Sequence, residues 1–345
     1  MNEIEKSGEA RPLISVVITC YNLAAYIREA IDSVLAQELA GPFEIIVVDD
    51  CSTDDSSSII ATYSEARLVS TSVNGGVMLA TVAGVQAARG DIVALLDGDD
   101  TWEPGKLAAV RAQFADPRVG FVTHDLVYAD AECRPTDAPT RPRAVLGPAS
   151  APQREALLRD GLLNLGDYIW LGSAFSFRKS RIKWANFIEW VFTLPDPRNV
   201  YQDWPLAYWI ALQRDVGMVY IDEKLFRYRL HGANHSGDAR TVQRAVRNYR
   251  RAFLTISAIE QLARRDGRVA AKTLRIVTAR VAHNAARLAA HLPYQQFSAV
   301  RHHVRSLPDL RARGVMLRET VVLGALVVLG PSLARRLSAA RSAFS

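Results

Sequence analysis

Three short apolar runs, separated by stretches with helical periodicity, most constrain what this chain can fold into. The runs are "ISVVIT" (14–19), "EIIVVDD" (44–50) and "DIVALLD" (91–97), and each is rich in β-branched residues. Continuous apolar runs of this length are typical of strands buried on both faces of a parallel sheet. Between them, "AAYIREAIDSVLAQ" and "MLATVAGVQAARG" repeat apolar residues with helical spacing. This alternation predicts βαβ units and an α/β sheet.

Polar residues follow each of the three predicted strands. They are Thr19–Tyr21, Asp49–Cys51 and Asp97–Asp100. In open α/β sheets, ligands bind beyond the carboxyl ends of the strands, where these residues converge. The convergence favours a ligand site over the alternative, which is a set of solvated polar turns.

The stretch "DIVALLDGDDTWEPGKL" (91–107) places Asp97, Asp99 and Asp100 within four residues, where their carboxylates repel one another. A divalent cation that keeps its waters and takes substrate phosphates needs only one or two protein carboxylates. Asp97 and Asp99 therefore predict an Mg²⁺ or Mn²⁺ site and a diphosphate substrate. At the neighbouring strand ends, Asp50 can accept hydrogen bonds from a nucleobase or ribose, and Tyr21 can stack on a base. The alternatives are a turn or N-cap role for Asp50 and core packing for Tyr21.

The composition is that of a folded protein, with 49% hydrophobic and 23% charged residues among 345. The three cysteines show no CxxC or Cys/His spacing, which argues against a structural zinc site or a disulfide framework. The polar segment "MNEIEKSGEARP" has no apolar core and is not a signal peptide. No G-x-G-x-x-G follows the first strand, and neither a P-loop nor a nucleophile elbow is present.

Charge is distributed unevenly along the chain. From residue 240 onward there are 20 Lys and Arg against 4 Asp and Glu, whereas the preceding residues carry a balance of −10. This basic region has helical periodicity and ends in the apolar run "TVVLGALVVLG" (320–330). The run is too short to span a bilayer, so we expect either a buried helix or a helix in the membrane interface. An anionic membrane surface fits such a tail, and we expect no nucleic-acid partner.

The motifs together resemble family 2 glycosyltransferases with the GT-A fold. "SVVITCYNLAAYIREAIDSVLAQ", "EIIVVDDCSTDDS", "NGG" (74–76) and "ARGDIVALLDGDDTWEPGKL" occur in the order and spacing of that family. The resemblance is close over residues 12–115 and looser to residue 237. It implies a nucleotide-binding mixed sheet flanked by helices, and transfer of a sugar from a nucleotide-diphosphate donor with inversion at the anomeric carbon.

The resemblance also implies roles for individual residues. Nucleotide-binding residues would be Thr19, Tyr21, Asn22, Asp50, Asn74, Gly76 and Asp97. The metal ligands would be Asp99, Asp97 and His231, the last from "YRLHGANHS" (228–236), which resembles a loop over the donor diphosphate. Residues near the acceptor or donor sugar would be Gly172, Ser173, Trp204 and Arg229. His235 and Trp170 are weaker candidates for phosphate and sugar contacts.

The catalytic base implied by the resemblance is Asp203 in "YQDW" (201–204), where Gln202 stands at a position usually held by Glu. Pro205 fits the first turn of a helix, which makes Asp203 a natural N-cap. A capping role alone is the alternative to catalysis. A general base must lie within hydrogen-bond reach of the acceptor hydroxyl, which a sequence does not show.

These observations predict a flexible N-terminus (1–11), a GT-A catalytic domain (12–239) and a basic helical extension (240–345). The predicted activity is that of an inverting, metal-dependent glycosyltransferase that uses a UDP-sugar and a glycan or lipid-linked acceptor in cell-surface polysaccharide synthesis. We expect a cytoplasmic location, at the inner face of the membrane if the extension binds lipid, and the extension is a candidate dimer interface. The alternatives are a nucleotidyltransferase of similar fold and a catalytically silent scaffold.

Overall fold

The computed structural model describes residues 14–39, 41–137, 146, 149–166, 171–231 and 242–289. The chain divides into two compact units, Met1–Gly237 and Asp238–Ser345, and each is described by itself. The predicted flexible N-terminus, the apolar run 320–330, Trp170 and His235 lie outside the described residues.

The strands of the first unit form one mixed sheet. They are β1 (Ile14–Cys20), β2 (Phe43–Asp49), β3 (Ala66–Ser70), β4 (Ile92–Asp97), β5 (Thr101–Trp102), β6 (Val119–Ala129), β7 (Ser176–Arg178) and β8 (Gly217–Arg229). Their order across the sheet is β3-β2-β1-β4-β7-β6-β8-β5. The first four run parallel, whereas β7 is antiparallel to both of its neighbours. The predicted α/β class with a central mixed sheet is confirmed.

Helices pack against this sheet and build the described part of the second unit. In the first unit they are α1 (Ile27–Leu35), α2 (Ser56–Ile60), α3 (Gly76–Ala87), α4 (Lys106–Gln113), α5 (Ala151–Leu163), α6 (Trp184–Val191) and α7 (Asp203–Leu212). In the second unit they are α8 (Val242–Asp266) and α9 (Ala271–Ala289). Short 3-10 turns lie at Gly172–Ala174 and Pro197–Asn199. The helices predicted on either side of the second strand are present as α1 and α3.

The first strand shows why the apolar runs are continuous. Every residue of β1 is buried, because α1 and α3 pack against it and β2 and β4 flank it. Ser15 is the polar exception near its start, and its Oγ donates to Glu44 Oε1 at 2.6 Å and accepts from the Gly90 N–H at 2.9 Å. A polar group is tolerated in such a strand only when it is hydrogen bonded. The three predicted strands agree with β1, β2 and β4 to within one residue at each end.

The short strand β5 and the long strand β8 join two distant parts of the chain. β5 begins directly after Asp100 and pairs antiparallel with β8, Thr101 opposite Arg227 and Trp102 opposite Phe226. β8 also pairs parallel with β6 over most of its length. Beyond its pairing with β5, strand β8 continues to Arg229, and His231 follows shortly after. The β5–β8 pairing therefore brings both residues to the aspartates at the end of β4.

The second unit contains two basic helices that pack against each other. Their reversal includes Gly267 at φ +67°, a conformation that favours glycine. The buried apolar side chains include Ile256, Ile259, Leu262, Val277 and Val281. Between the helices, the buried Glu260 accepts hydrogen bonds from Arg264 Nη2 at 2.6 Å and Thr278 Oγ1 at 2.8 Å. Within the described part of the chain, no helix combines the length and apolar character needed to cross a membrane.

Candidate active site

Three parallel strands bring polar residues to one edge of the sheet. β1 lies between β2 and β4, and Thr19 near its end pairs with Asp97 of β4. The Thr19 hydroxyl donates to Asp97 Oδ1 at 3.2 Å. Asp50 follows directly after β2, and its N–H donates to the Cys20 carbonyl at 2.8 Å. The three predicted strand ends therefore lie side by side.

The Asp50 carboxylate holds the start of α3. Its Oδ1 accepts from the Gly75 N–H at 2.8 Å, and its Oδ2 accepts from the Gly76 N–H at 2.7 Å. A negative charge at a helix N-terminus is favourable, so Asp50 caps α3 from a distant loop. Gly76 has φ +78°, and a Cβ there would collide with the Arg198 carbonyl, so the site requires glycine. Asn74 lies half-buried in the same loop, and the nucleotide contacts of these residues remain predictions.

The turn after β1 is tied to the turn after β2. Asn22 has φ +54°, which asparagine tolerates better than most residues. Its Oδ1 accepts from the Thr53 N–H at 2.7 Å, and its own N–H donates to Ser52 Oγ at 2.9 Å. Beside it, Tyr21 leaves 37% of its surface exposed, so it is not packed in the core. An exposed ring at this edge has the accessibility that stacking on a base requires.

The aspartate turn (97–100) concentrates negative charge in a partly buried place. Burial, together with the charge of Asp99, raises the pKa of Asp97 to about 6. Burial also raises the pKa of Asp100 well above its usual value, with Asp99 and then Asp97 adding to the effect. A glycine is required at position 98, between Asp97 and Asp99, because a Cβ there would lie 2.8 Å from the Thr19 carbonyl oxygen. Each carboxylate therefore needs its own compensating partner.

Asp100 is buried and hydrogen bonded inside the protein. Its Oδ2 accepts from the Ser173 hydroxyl at 2.6 Å, and its Oδ1 accepts from the Arg229 N–H at 3.0 Å. Lys106 is fully buried nearby; its Nζ donates to the Ser173 carbonyl at 2.6 Å and lies 3.7 Å from the centre of the Trp102 ring. Burial lowers the pKa of Lys106 well below its usual value, while the charge of Asp100 opposes that shift. The third aspartate is thus bound within the protein, with the Lys106 side chain nearby.

Arg229 holds the aspartate turn from the end of β8. This buried guanidinium donates from Nε to the Asp99 carbonyl at 2.8 Å and from Nη1 to the Ala131 carbonyl at 2.9 Å. From Nη2 it donates to Glu29 Oε2 at 2.8 Å, and its Cζ lies 5.0 Å from the centre of the Tyr26 ring. The contact with a phosphate or sugar predicted for Arg229 remains a prediction, because these contacts are with the protein itself.

Asp99 and His231 form the pair in the site with the chemistry of metal ligands. Asp99 Oδ2 lies 3.0 Å from His231 Nε2, and the imidazole ring packs 4.5 Å from the Tyr26 ring, centre to centre. In the described residues, no group of three His, Cys, Asp or Glu side chains is gathered closely enough to hold an ion. A carboxylate and an imidazole suit Mn²⁺, and the remaining positions could come from a diphosphate and water. The donor set fits an ion that is completed by the substrate.

Asp203 is the first residue of α7 and lies near Asp97, which the preceding Gln202 contacts. The structure places Gln202 rather than Asp203 at the N-cap, and the predicted position of Pro205 in the first helical turn is confirmed. Asp203 Oδ1 accepts from the Trp204 N–H at 2.9 Å. Burial, together with the charge of Asp97, raises the pKa of Asp203 to about 7. A carboxylate with such a pKa can accept a proton near neutral pH.

Gln202 connects Asp203 to the aspartate turn. Its Nε2 donates to Asp97 Oδ1 at 2.8 Å, and its Oε1 accepts from the Thr81 hydroxyl at 2.5 Å. Gly172 approaches the same amide, because a Cβ there would lie 2.7 Å from Nε2 and 3.6 Å from Asp97 Oδ2. Gly172 therefore lies beside Gln202 and Asp97, and the sugar approach that the resemblance implies for it stays a prediction.

Three residues that shape this site were not predicted from the sequence: Lys106, Glu29 and Thr81. Lys106 stands within the quoted stretch 91–107, but no role was predicted for it. Each of the three acts through a partner that is distant in the sequence, and the local pattern around it carries no signal of that contact.

A family model described as "Glycosyl transferase family 2" matches residues 15–181. Residues 15–181 therefore form a family 2 glycosyltransferase region. The matched family 2 region contains Asp50, the aspartate turn and Gly172, whereas Asp203 and His231 lie beyond it.

Curated family 2 relatives match over parts of the chain. A Nostoc protein described as uncharacterized glycosyltransferase alr2836 is 32% identical over 230 residues, which are 64% of this chain and 66% of that protein. The succinoglycan biosynthesis protein ExoO of Rhizobium meliloti is 38% identical over 123 residues, which are 34% of this chain and 35% of ExoO. Each match spans less than two thirds of the relative's length.

Solved structures share the fold at low sequence identity. The Staphylococcus aureus protein TarS (residues 1–349, in complex with UDP-GlcNAc) superposes with a TM-score of 0.55 at 15% identity, covering 90% of each chain. The mannosyltransferase PcManGT of Pyrobaculum calidifontis, in complex with GDP-Man and Mn²⁺, gives 0.51 at 21% identity, covering 95% of this chain and 84% of PcManGT. These similarities show the GT-A fold.

We expect the Arg229→Met variant to lose about 3 kcal/mol of unfolding free energy, because the charged hydrogen bonds of a buried guanidinium are removed. The matched control is Arg227→Met on the same strand. Arg227 pairs with Glu103 at 2.6 Å but is about one third exposed, so its loss should cost about 1 kcal/mol or less. Urea unfolding followed by circular dichroism measures both; equal losses would contradict the role assigned to Arg229.

Proposed function

We propose that this protein transfers a sugar from a nucleoside-diphosphate donor to a hydroxyl group, with inversion and with the help of a divalent cation. The observation that carries the proposal is the position of Asp203 at a helix start beside Asp97, with a pKa raised to about 7. A base near a donor-binding carboxylate is what a direct displacement requires. The family 2 match over residues 15–181 supports the same reaction class.

Asp203 takes the proton of the attacking hydroxyl in this proposal. The oxygen then attacks the anomeric carbon on the face opposite the diphosphate, and the bond from that carbon to the diphosphate breaks. Activation by a positioned base contributes roughly 10²–10⁴-fold to such reactions. The environment of Asp203 keeps its pKa high enough to receive the proton and low enough to be ionised near neutral pH.

The donor would lie at the edge formed by β1, β2 and β4. Tyr21 offers an exposed ring for the base, and Asp50 and Thr19 lie on the neighbouring strand ends. UDP is the favoured nucleotide, supported by the binding of UDP-GlcNAc to TarS. Asp99 and His231 would hold the cation, with Asp97 adjacent, as PcManGT holds Mn²⁺ together with GDP-Man in its complex. The cation would neutralise negative charge on the departing diphosphate.

The acceptor would be a glycan or a lipid-linked sugar in polysaccharide synthesis. The name of ExoO, a succinoglycan biosynthesis protein, supports this class. Gly172 and Trp204 lie next to the proposed base and Asp97, so the acceptor would enter on their side. Ser173 is buried, with its hydroxyl bound to Asp100, so its part would be to position the turn at Gly172.

The pH dependence of activity tests the role of Asp203. Because the ionised form is the base, kcat/KM should rise about tenfold per pH unit on the acid side and level off above about pH 7. Asp203→Asn should lower kcat by roughly 10²–10⁴-fold and leave nucleotide binding intact. Initial rates from pH 5 to 9 measure both. A plateau that persists to pH 5, or an active Asp203→Asn variant, would contradict the assignment.

Calorimetric titration tests the cation and the nucleotide. UDP, GDP, dTDP and CDP are each titrated with and without Mn²⁺ into the wild type and Asp99→Ala. We expect one nucleotide, UDP, to bind in an Mn²⁺-dependent manner, and Asp99→Ala to lose that dependence because a ligand of the ion is gone. Asp55→Ala, which removes an exposed aspartate after β2, serves as the control and should bind like the wild type. Metal-independent binding of all four nucleotides would refute the cation site.

We further propose that the basic extension associates with anionic lipid surfaces. In the described helices, Arg247, Arg265, Lys272 and Arg275 are exposed, and the region from residue 240 onward carries a balance of +16. Each cation near an anionic membrane contributes about 1 kcal/mol. The variant Arg265→Gln/Lys272→Gln/Arg275→Gln should therefore float less with phosphatidylserine vesicles at low salt. Equal flotation of variant and wild type, or equal binding to neutral vesicles, would refute the proposal.

A further inference from the structure

We propose that Gln202 is a positioning residue that couples the donor-binding aspartate Asp97 to the base Asp203. The inference rests on the proposed function and extends it to a residue that would contact neither the acceptor hydroxyl nor the anomeric carbon. It concerns how the protein keeps two catalytic elements, which lie far apart in the sequence, at a constant separation.

Both ends of the Gln202 side-chain amide are engaged. The residue is only 4% exposed. Its Nε2 donates to Asp97 Oδ1 at 2.8 Å, and the Thr81 hydroxyl donates to its Oε1 at 2.5 Å. Because Thr81 supplies a donor and the carboxylate an acceptor, the amide has one orientation that satisfies both partners. The side chain is therefore fixed in rotation as well as in position.

The amide joins separate elements of the fold. Thr81 belongs to α3, Asp97 ends β4, and Gln202 immediately precedes Asp203 at the start of α7. Gly172 closes the remaining side, since even a Cβ at this position would lie 2.7 Å from Nε2. A movement of α7 relative to β4 would break one of these contacts or close the space at Gly172. The start of α7, and with it Asp203, is thereby held in register with Asp97.

An amide suits this position for an electrostatic reason. Asp97, Asp99 and Asp203 already place three carboxylates in the site. The charge of Asp99 raises the pKa of Asp97, and the charge of Asp97 raises the pKa of Asp203. An ionised carboxylate at position 202 would offer no donor to Asp97 and would add a further negative charge at hydrogen-bond distance. The neutral amide instead donates a hydrogen bond to Asp97 and adds no repulsion.

The chain offers a matched control at the other end of the same helix. Gln213 follows α7, is also buried, and donates from Nε2 to the Ile182 carbonyl at 2.9 Å. Gln202→Met and Gln213→Met both remove a buried amide while keeping a side chain of similar length. If Gln202 were only a packing residue, the two variants would show the same behaviour.

The measurements are kcat with a UDP-sugar, Mn²⁺-dependent affinity for UDP, and melting temperature, all on the full chain. We expect both variants to melt at a lower temperature. Gln202→Met should also lower kcat on the order of 100-fold, because small displacements of a base have effects of that size. It should weaken Mn²⁺-dependent UDP binding, because Asp97 loses its donor. Gln213→Met should leave kcat and affinity close to the wild-type values.

Two further variants separate the partners of the amide. Gln202→Glu keeps an acceptor for Thr81 and, when it is protonated, a donor to Asp97, so it should retain more kcat than Gln202→Met. Thr81→Val removes the Thr81 hydroxyl but keeps the hydrogen bond from Gln202 to Asp97, so its loss of kcat should be smaller. A Gln202→Glu variant or a Thr81→Val variant as impaired as Gln202→Met would overturn the coupling through Asp97.

The outcomes distinguish this inference from the proposed function. If the wild type binds UDP with Mn²⁺ but transfers sugar to no acceptor, the proposed function fails, and the UDP affinities alone decide the link between Gln202 and Asp97. If the wild type is active and Gln202→Met matches Gln213→Met in kcat and UDP affinity, the inference on Gln202 is wrong and the proposed function stands.

Discussion

Electrostatic repulsion among Asp97, Asp99 and Asp100 is the constraint on which the rest of the site depends. Three carboxylates within one turn are tolerated because each has a separate partner. Asp97 receives hydrogen bonds, Asp99 lies against His231, and Asp100 is buried with Lys106 nearby. Moving a charged group out of solvent costs free energy unless an opposite charge or a hydrogen-bond partner compensates for it. The surrounding elements are placed so as to supply that compensation.

This compensation draws together parts of the chain that are remote in sequence. The pairing of β5 with β8 delivers Arg229, which binds the Asp99 carbonyl and, through its own N–H, the Asp100 carboxylate. The start of α7 delivers an amide donor to Asp97 together with Asp203. The sheet thus fixes the distances between the loops that carry these residues.

The chemistry proposed for the site follows from the negative charge that remains on Asp97 and Asp99. With Asp100 bound within the protein, Asp97 and Asp99 face the place where a cation and a diphosphate would relieve their repulsion. The same negative charge, together with burial, raises the pKa of Asp203 and makes it a better proton acceptor. The raised pKa values of Asp97 and Asp203 are therefore two consequences of one electrostatic arrangement.

The sequence by itself determined the α/β class, because buried strands and amphipathic helices are encoded in local periodicity, and its motifs indicated the family. The types and spacing of Asp97 and Asp99 predicted a cation site without coordinates, whereas Asp203 was identified only through the resemblance to the family. Only the tertiary structure decided that Asp100 is bound within the protein and that Gln202 bridges to Asp97. Those facts depend on which side chains meet across the sheet, and local periodicity holds no information on such long-range pairs.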